Sequence, residues 1–109
     1  MSTAEIPYGT LDLLVLKTLD TMGPLNGYRV ARRIEQLSEH SLALNQGSIH
    51  PALLRLEQKG WIAAKGGVSD TGRKVRVYSL TRSGAKQLRT EVEKWRSTTH
   101  MIGRILEAE

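Results

Sequence analysis

Two short stretches of this chain concentrate side chains that can donate hydrogen bonds to anions or to polar ring edges. The first stretch contains Gln46, Ser48, His50, Pro51 and Arg55. The second is basic and supplies Lys65, Arg73, Lys74 and Arg76. Guanidinium and ammonium groups bind phosphate oxygens, while amide, hydroxyl and guanidinium donors match the edges of nucleobases. The residue types in these two stretches therefore favour contact with a nucleic acid.

The distribution of charge supports the same interpretation. The chain has 109 residues and a formal net charge of +5. Residues 59–89 carry eight basic side chains and a single acid, Asp70, whereas acids slightly outnumber bases on either side of that window. A local field of one sign attracts a polyanion and steers its approach. The alternative is a solvated basic face that serves only solubility.

The same residues give little support to catalysis or metal binding. Ser48, His50 and Asp70 could be written as a triad, but no strand–turn–helix elbow surrounds the serine. The three histidines are scattered, and no cysteine joins them as a metal ligand or forms a disulfide. We therefore predict that the chain is not an enzyme and binds no metal or cofactor.

The composition is that of a small globular protein. Hydrophobic residues make up 39% of the chain and charged residues 25%, which is ordinary for one soluble domain. No apolar run approaches the ~20 residues that a membrane-spanning helix needs. Residues 1–6 lack the basic start and apolar stretch of a secretory signal. A cytoplasmic protein without membrane contact is expected.

A helix and a hairpin must position the candidate contacts. We predict a helix from Ser48, as N-cap, to Lys59, with Gly60 as its stop and Pro51 in its first turn. Residues 61–68 and 73–80 are predicted strands around the turn at residues 69–72, and Tyr78 and Leu80 cover the core. A helix followed by a basic hairpin is the arrangement of a winged helix-turn-helix.

The preceding segments complete the predicted domain. Residues 1–9 are interpreted as a polar arm, and a helix follows to Met22 with Thr10 as its N-cap. Its apolar residues cover most of the circumference, so it must be buried on more than one side, and a second subunit is the simplest source. Asn26 caps a second helix to Leu37, and a very short strand is predicted at residues 42–44.

The last predicted helix begins after its cap, Thr81, and has a regular apolar seam. The seam comprises Ala85, Leu88, Val92, Trp95, Thr99, Ile102 and Leu106. Spacing of three and four is typical of a helix that packs lengthwise on another helix. We predict a homodimer whose interface contains Leu11, Val15, Leu88, Val92, Trp95, Thr99, Ile102 and Leu106. Intramolecular packing of the whole seam is the alternative.

These elements define the predicted fold. It is α+β and mainly α, a winged helix-turn-helix with a long C-terminal dimerisation helix. Residues 1–81 form the DNA-binding part, including the N-terminal helix, and residues 82–109 form the dimerisation helix. The DNA contacts are predicted to be Gln46, Ser48, His50, Pro51, Arg55, Lys65, Arg73, Lys74 and Arg76.

Several motifs resemble those of a known family. They are Gly9-Thr10-Leu11-Asp12, Asn26-Gly27-Tyr28, Gly47-Ser48-Ile49-His50-Pro51-Ala52-Leu53, Gly60-Trp61-Ile62 and Tyr78-Ser79-Leu80-Thr81. In these motifs the chain resembles PadR-like transcriptional regulators, in particular the small subgroup with one C-terminal helix. The resemblance implies a dimeric winged helix that represses transcription at a palindromic operator and is often released by a small molecule.

Two positions qualify the resemblance. The family usually has tyrosine where this chain has His50, so the operator sequence does not carry over, and an imidazole there introduces a weak pH dependence of binding. Trp95 falls near a position where some relatives stack flat aromatic ligands in the dimer interface. It is therefore a candidate effector contact, although filling the seam is the favoured role.

The alternative function is a winged-helix module that binds a protein or RNA without operator specificity, because the same fold serves both roles. A protein-binding module has no need for the basic window at residues 59–89. An RNA-binding module would need exposed aromatic residues for stacking, and only 5% of the chain is aromatic. The sequence therefore favours a homodimeric, sequence-specific regulator of transcription that binds double-stranded DNA.

Overall fold

The computed structural model describes residues 9–108 and shows four helices and three strands. In chain order they are α1 (Thr10–Met22), β1 (Leu25–Asn26), α2 (Gly27–Leu37), α3 (Gln46–Gln58), β2 (Ile62–Val68), β3 (Lys74–Leu80) and α4 (Arg82–Glu107). This arrangement confirms the predicted winged helix, mainly helical with a small sheet. The polar arm predicted at residues 1–9 lies, apart from Gly9, outside the described residues.

Local capping explains where the helices begin. Asn26 accepts a hydrogen bond from the Arg29 N–H at 2.9 Å, as predicted for the start of α2. The start of α3 was predicted incorrectly, because Asn45 rather than Ser48 is the N-cap and accepts from the Ser48 N–H at 3.0 Å. The N-cap predicted for α1 is also wrong, because Thr10 is the first residue of the helix and Gly9 occupies the N-cap position without a side-chain hydrogen bond.

The earlier start of α3 changes the position of Pro51. Proline has no N–H to donate, so within a helix it leaves the carbonyl four residues earlier without its usual partner. Pro51 lies in the second turn of α3 rather than the first, and the carbonyl affected is that of Gly47. The exposed beginning of α3 therefore carries a backbone acceptor as well as its polar side chains.

One core lies between the first three helices and the sheet. Its largest fully buried side chains are Val15, Leu16, Val30, Ile49, Leu53, Leu56 and Ile62. Tyr78 is buried and Leu80 packs against this core, as predicted for one face of β3. The core thus fixes which face of α3 points outward.

The chain itself covers more of α1 than the sequence suggested. α1 contacts α2, α3, β3 and α4, and the buried residues of α4 lie in its first half. Val15 is 0% exposed and Leu88 is 5% exposed, and both belong to the core. Their prediction as dimer-interface residues is therefore wrong, because α4 of the same chain supplies the second side of α1. Leu11 and Val92 are partly buried at the margin of the same core.

The three strands form an antiparallel sheet in the order β1-β3-β2. β1 pairs Leu25 with Tyr78, and β2 pairs with β3 from Ile62–Leu80 to Val68–Lys74. The strand predicted at residues 42–44 is absent from the described sheet, and Leu42 is instead buried in the core. The alternating leucines at residues 42 and 44 serve packing against the core rather than a strand. β1, with two residues, is too short to show an alternating pattern of apolar residues.

α4 starts against the base of the hairpin and then leaves the body of the protein. Thr81 caps it by accepting from the Gly84 N–H at 3.0 Å, as predicted. The Thr81 hydroxyl also donates to the Gly60 carbonyl at 2.7 Å, which ties the helix to the end of α3. The 26 residues of α4 span about 39 Å. Its second half accounts for much of the 58 Å length of the molecule.

Among residues 9–108, no helix combines the length and the hydropathy that crossing a bilayer requires.

Candidate nucleic-acid interface

The first two turns of α3 present a polar surface to solvent. Gln46, Ser48, His50 and Pro51 are all exposed there, whereas Ile49 on the opposite face is fully buried. The Asn45 cap and the buried face together fix the direction of these side chains. The structure therefore brings together four of the five residues predicted as contacts on this helix.

Arg55, the fifth of these residues, lies apart from the polar surface. Its guanidinium donates to both carboxylate oxygens of Asp12, from Nη2 at 2.7 Å and from Nε at 3.4 Å. Asp12 belongs to α1, and its side chain is only 15% exposed. The Arg55 side chain is 39% exposed, and this two-point contact directs it toward α1 and joins α1 to α3. Its contact with DNA stays a prediction.

The hairpin approaches the same surface through Arg76. Its Nη2 donates to Glu57 Oε2 at 2.6 Å, so β3 and α3 are joined by an ion pair. A groove of about 440 Å³ runs between them, lined by His50, Leu54 and Tyr78 as well as by the pair itself. Helix and hairpin thus meet in one continuous surface.

Glu57 was not among the predicted site residues. His50, Leu54 and Glu57 recur at intervals of four and three, which places them on one helical stripe. That spacing was the available signal for a carboxylate beside the candidate contacts. The Glu57 carboxylate offsets the charge of Arg76 where the hairpin meets α3.

The other basic residues of the hairpin occupy different positions. Residues paired directly across antiparallel strands share a face. Lys74 pairs with Val68 and Arg76 pairs with Gly66, so both basic side chains lie on the face that meets α3. Lys65 pairs with Val77 and lies on the opposite face. All of these side chains are exposed, but the structure does not gather them into one patch.

Arg73 is exposed beside the turn that joins the two strands. The Arg73 N–H donates to the Ser69 hydroxyl at 3.2 Å, and the Arg73 carbonyl accepts from the Ser69 N–H at 2.8 Å. Gly72 has a φ of 81°, the left-handed conformation that such a tight turn requires. These bonds hold the backbone of Arg73 while leaving its guanidinium outside the sheet.

The part of the chain that the structure describes holds no group of three or more His, Asp or Glu side chains arranged to bind a metal. Trp61, shortly after the end of α3, is partly buried against the core. Lys59 lies over its ring at 4.8 Å, a cation–π distance.

Comparison with known proteins places this geometry in a family. The profile of the transcriptional regulator PadR-like family matches residues 15–90, which include α2, α3, the whole hairpin and the start of α4. The chain belongs to the PadR-like family. The family is one of transcriptional regulators, which implies regulation of transcription through DNA binding.

Solved structures share the whole arrangement. A transcriptional regulator from Clostridium thermocellum is 24% identical, with a TM-score of 0.81 over 91% of this chain and 95% of that one. A PadR family regulator from Clostridium difficile R20291 is 28% identical, with a TM-score of 0.75 over 90% and 99% of the two chains. The likeness therefore extends to α4, beyond the region that the family profile matches.

A sequence relative is much longer than this chain. A 37.1 kDa protein in transposon TN4556 of Streptomyces fradiae is 36% identical over 86 residues. The match takes in 79% of this chain but only 22% of that protein.

Proposed function

We propose that this PadR-like regulator represses transcription as a homodimer bound to a palindromic operator. The observation that carries the proposal is the surface shared by the first turns of α3 and the basic hairpin. A winged helix places the start of its third helix in the major groove and its hairpin beside the adjacent backbone. The exposed side chains on both elements have the chemistry for that geometry.

The proposed contacts divide by type. Gln46, Ser48 and His50 offer donors to base edges, and Pro51 offers an apolar contact for a thymine methyl group. Arg73 and Lys74 reach toward the backbone or the minor groove. Lys65, on the opposite face of the hairpin, and Arg76, partly neutralised by Glu57, contribute mainly to the attractive field.

The second half of α4 supports the proposed dimer. Trp95 is 48% exposed, Ile102 45% and Leu106 78%, on one face of a helix that projects from the body. Burial of one large apolar side chain contributes about 1.5–3 kcal/mol, so a solvated stripe of them is unfavourable. A second copy related by a two-fold axis would cover this stripe and also Thr99.

DNA binding is tested by gel shifts on the region upstream of the gene, over a series of salt concentrations. We expect a complex whose affinity falls steeply with salt and exceeds that for unrelated DNA. Addition of the protein should reduce transcription from the same fragment in a purified system. Absence of a salt-sensitive complex, or an increase in transcripts, would contradict the proposed repressor.

The dimer is tested by sedimentation equilibrium with matched charge insertions in α4. Ile102→Lys places a charge on the proposed interface and should produce monomers at micromolar concentration. Ser97→Lys adds the same charge on the opposite face of α4 and should leave the dimer intact. If the unaltered protein is a monomer, or if both variants remain dimeric, the proposed interface is incorrect.

A further inference from the structure

A second concave surface lies away from the groove between α3 and β3. It is a cleft of about 560 Å³ between the outer face of α2 and the turn of the hairpin. Arg29, Arg32 and Arg33 line it from α2, and Arg73 lines it from the hairpin. Its volume falls in the range of sites that enclose small molecules.

The positive charge of the cleft is only partly compensated. Asp70 is the one carboxylate among the lining residues. Within residues 9–108, none of the four lining arginines takes part in an ion pair. The Arg33 Nε is also buried without a hydrogen-bond partner in the described structure. A buried donor without an acceptor is costly, so the arginine cluster lacks both a carboxylate partner and one hydrogen-bond acceptor.

The cleft also has apolar walls. Met22 and Tyr28 are exposed large side chains that line it together with Leu25 and Val75. The neutral polar residues of the lining are Asn26, Gln36, Ser69 and Thr71. Contact with a DNA phosphate requires exposed cations but no apolar enclosure. The combination of clustered guanidinium groups and apolar walls suits a ligand with both an anionic group and an apolar body.

We infer that the cleft between α2 and the hairpin turn binds a small organic anion, a carboxylate or phosphate on a flat or apolar body. Arg73 belongs both to this cleft and to the proposed DNA contacts. Occupation of the cleft therefore competes with DNA for Arg73 and weakens the DNA complex. This regulatory consequence rests on the proposed function, whereas binding of the anion does not.

Phenyl phosphate is a suitable probe, because it joins a charged and an apolar half. Isothermal titration calorimetry of the full chain compares it with inorganic phosphate and with benzyl alcohol. We expect phenyl phosphate to bind at least about tenfold more tightly than inorganic phosphate or benzyl alcohol, because only phenyl phosphate contacts both the arginines and the apolar residues of the cleft. Binding no tighter than that of inorganic phosphate would overturn the inference.

Matched double variants distinguish the cleft from general electrostatic attraction. Arg29→Ala/Arg32→Ala removes two exposed arginines from the cleft and should raise the Kd for phenyl phosphate by at least about tenfold. The reason is that a hydrogen bond between charged groups stabilises a complex more than one between neutral groups. Arg82→Ala/Arg104→Ala makes the same change of charge on α4 and should leave the Kd unchanged. Equal Kd values for the two double variants would overturn the inference.

DNA binding provides a separate measurement. Arg29→Ala/Arg32→Ala should keep the DNA affinity of the α4 control variant, and phenyl phosphate should weaken the DNA complex of the unaltered protein. If the α2 variant instead loses DNA affinity relative to that control, the cleft serves the DNA backbone and the inference is wrong. If the unaltered protein binds phenyl phosphate but no DNA, the cleft stands and the proposed function fails.

Discussion

Gly84 packs closely against the base of the hairpin. A Cβ atom added there would lie 1.9 Å from the Trp61 carbonyl oxygen and 2.9 Å from Leu80 Cδ1. The same carbonyl accepts from the Thr81 N–H at 3.0 Å, and the Thr81 hydroxyl caps Gly84. Gly84→Ala therefore forces the first turn of α4 away from the base of the hairpin.

The cost of this substitution follows from the distances. A carbon–oxygen contact of about 3.3 Å requires a shift of about 1.4 Å, and the shift strains or breaks the bonds at Thr81. Overpacking costs about 1–3 kcal/mol, and loss of an N-cap costs about 1 kcal/mol. We expect unfolding free energy to fall by about 3 kcal/mol, which for a domain of this size lowers the Tm by about 15 °C.

The same shift should also affect association. Leu88 lies one turn beyond Gly84 and is buried against the core, so it acts as a pivot. At 1.5 Å per residue, a displacement of 1.4 Å at Gly84 moves Leu106 by about 6 Å. The exposed stripe of α4 would then no longer face its proposed partner, and the dimer should dissociate at a higher protein concentration.

Circular dichroism during heating measures the Tm, and sedimentation equilibrium measures the dimer. Gly103→Ala is the matched control in the same helix, because a Cβ there meets nothing within 4 Å in the chain. Alanine is favoured over glycine in a helix by up to about 1 kcal/mol, so this variant should be as stable as the unaltered protein or slightly more stable. Equal Tm values for both variants would refute the role assigned to Gly84.

Four further substitutions test the candidate interface. Asp12→Asn weakens the ion pair with Arg55 and should lower the free energy of unfolding, measured by urea titration, by about 1.5 kcal/mol. An unchanged free energy of unfolding would show that this pair does not stabilise the fold. Glu57→Gln removes the carboxylate that pairs with Arg76, so Arg76 becomes available to a DNA phosphate. The slope of the logarithm of the DNA association constant against the logarithm of the salt concentration should then steepen by about one unit, and an unchanged slope would contradict this prediction. Arg73→Ala should weaken binding to all DNA sequences alike, whereas Gln46→Ala should reduce the preference for the operator; the reverse pattern in competition gel shifts would exchange their roles.

The features that the sequence predicted well depend on neighbouring residues. Asn26 and Thr81 were identified as caps because an N-cap acts within one helical turn. The hairpin followed from two β-rich segments around a turn. α3 was placed correctly except at its start, where Asn45 and Ser48 are both good capping residues and only the folded chain distinguishes them.

The features that were missed depend on distant contacts. Asp12 and Arg55 are separated by 43 positions, and no spacing rule connects them. β1 contains two residues, and its pairing with β3 is visible only after the chain has folded. Leu88 belongs to a regularly spaced seam and Val15 to a helix that is apolar on most sides, but both patterns also serve packing between α1 and α4 within one chain.

The ion pair between Glu57 and Arg76 has a thermodynamic consequence for recognition. Because it links α3 to the hairpin before any ligand is present, the two elements lose less conformational freedom when they are immobilised together. The Glu57 carboxylate also repels phosphate groups, so the sugar-phosphate backbone of DNA is not expected to approach the part of α3 around Glu57. One acidic side chain thereby preorganises the surface and restricts how a duplex can be oriented on it.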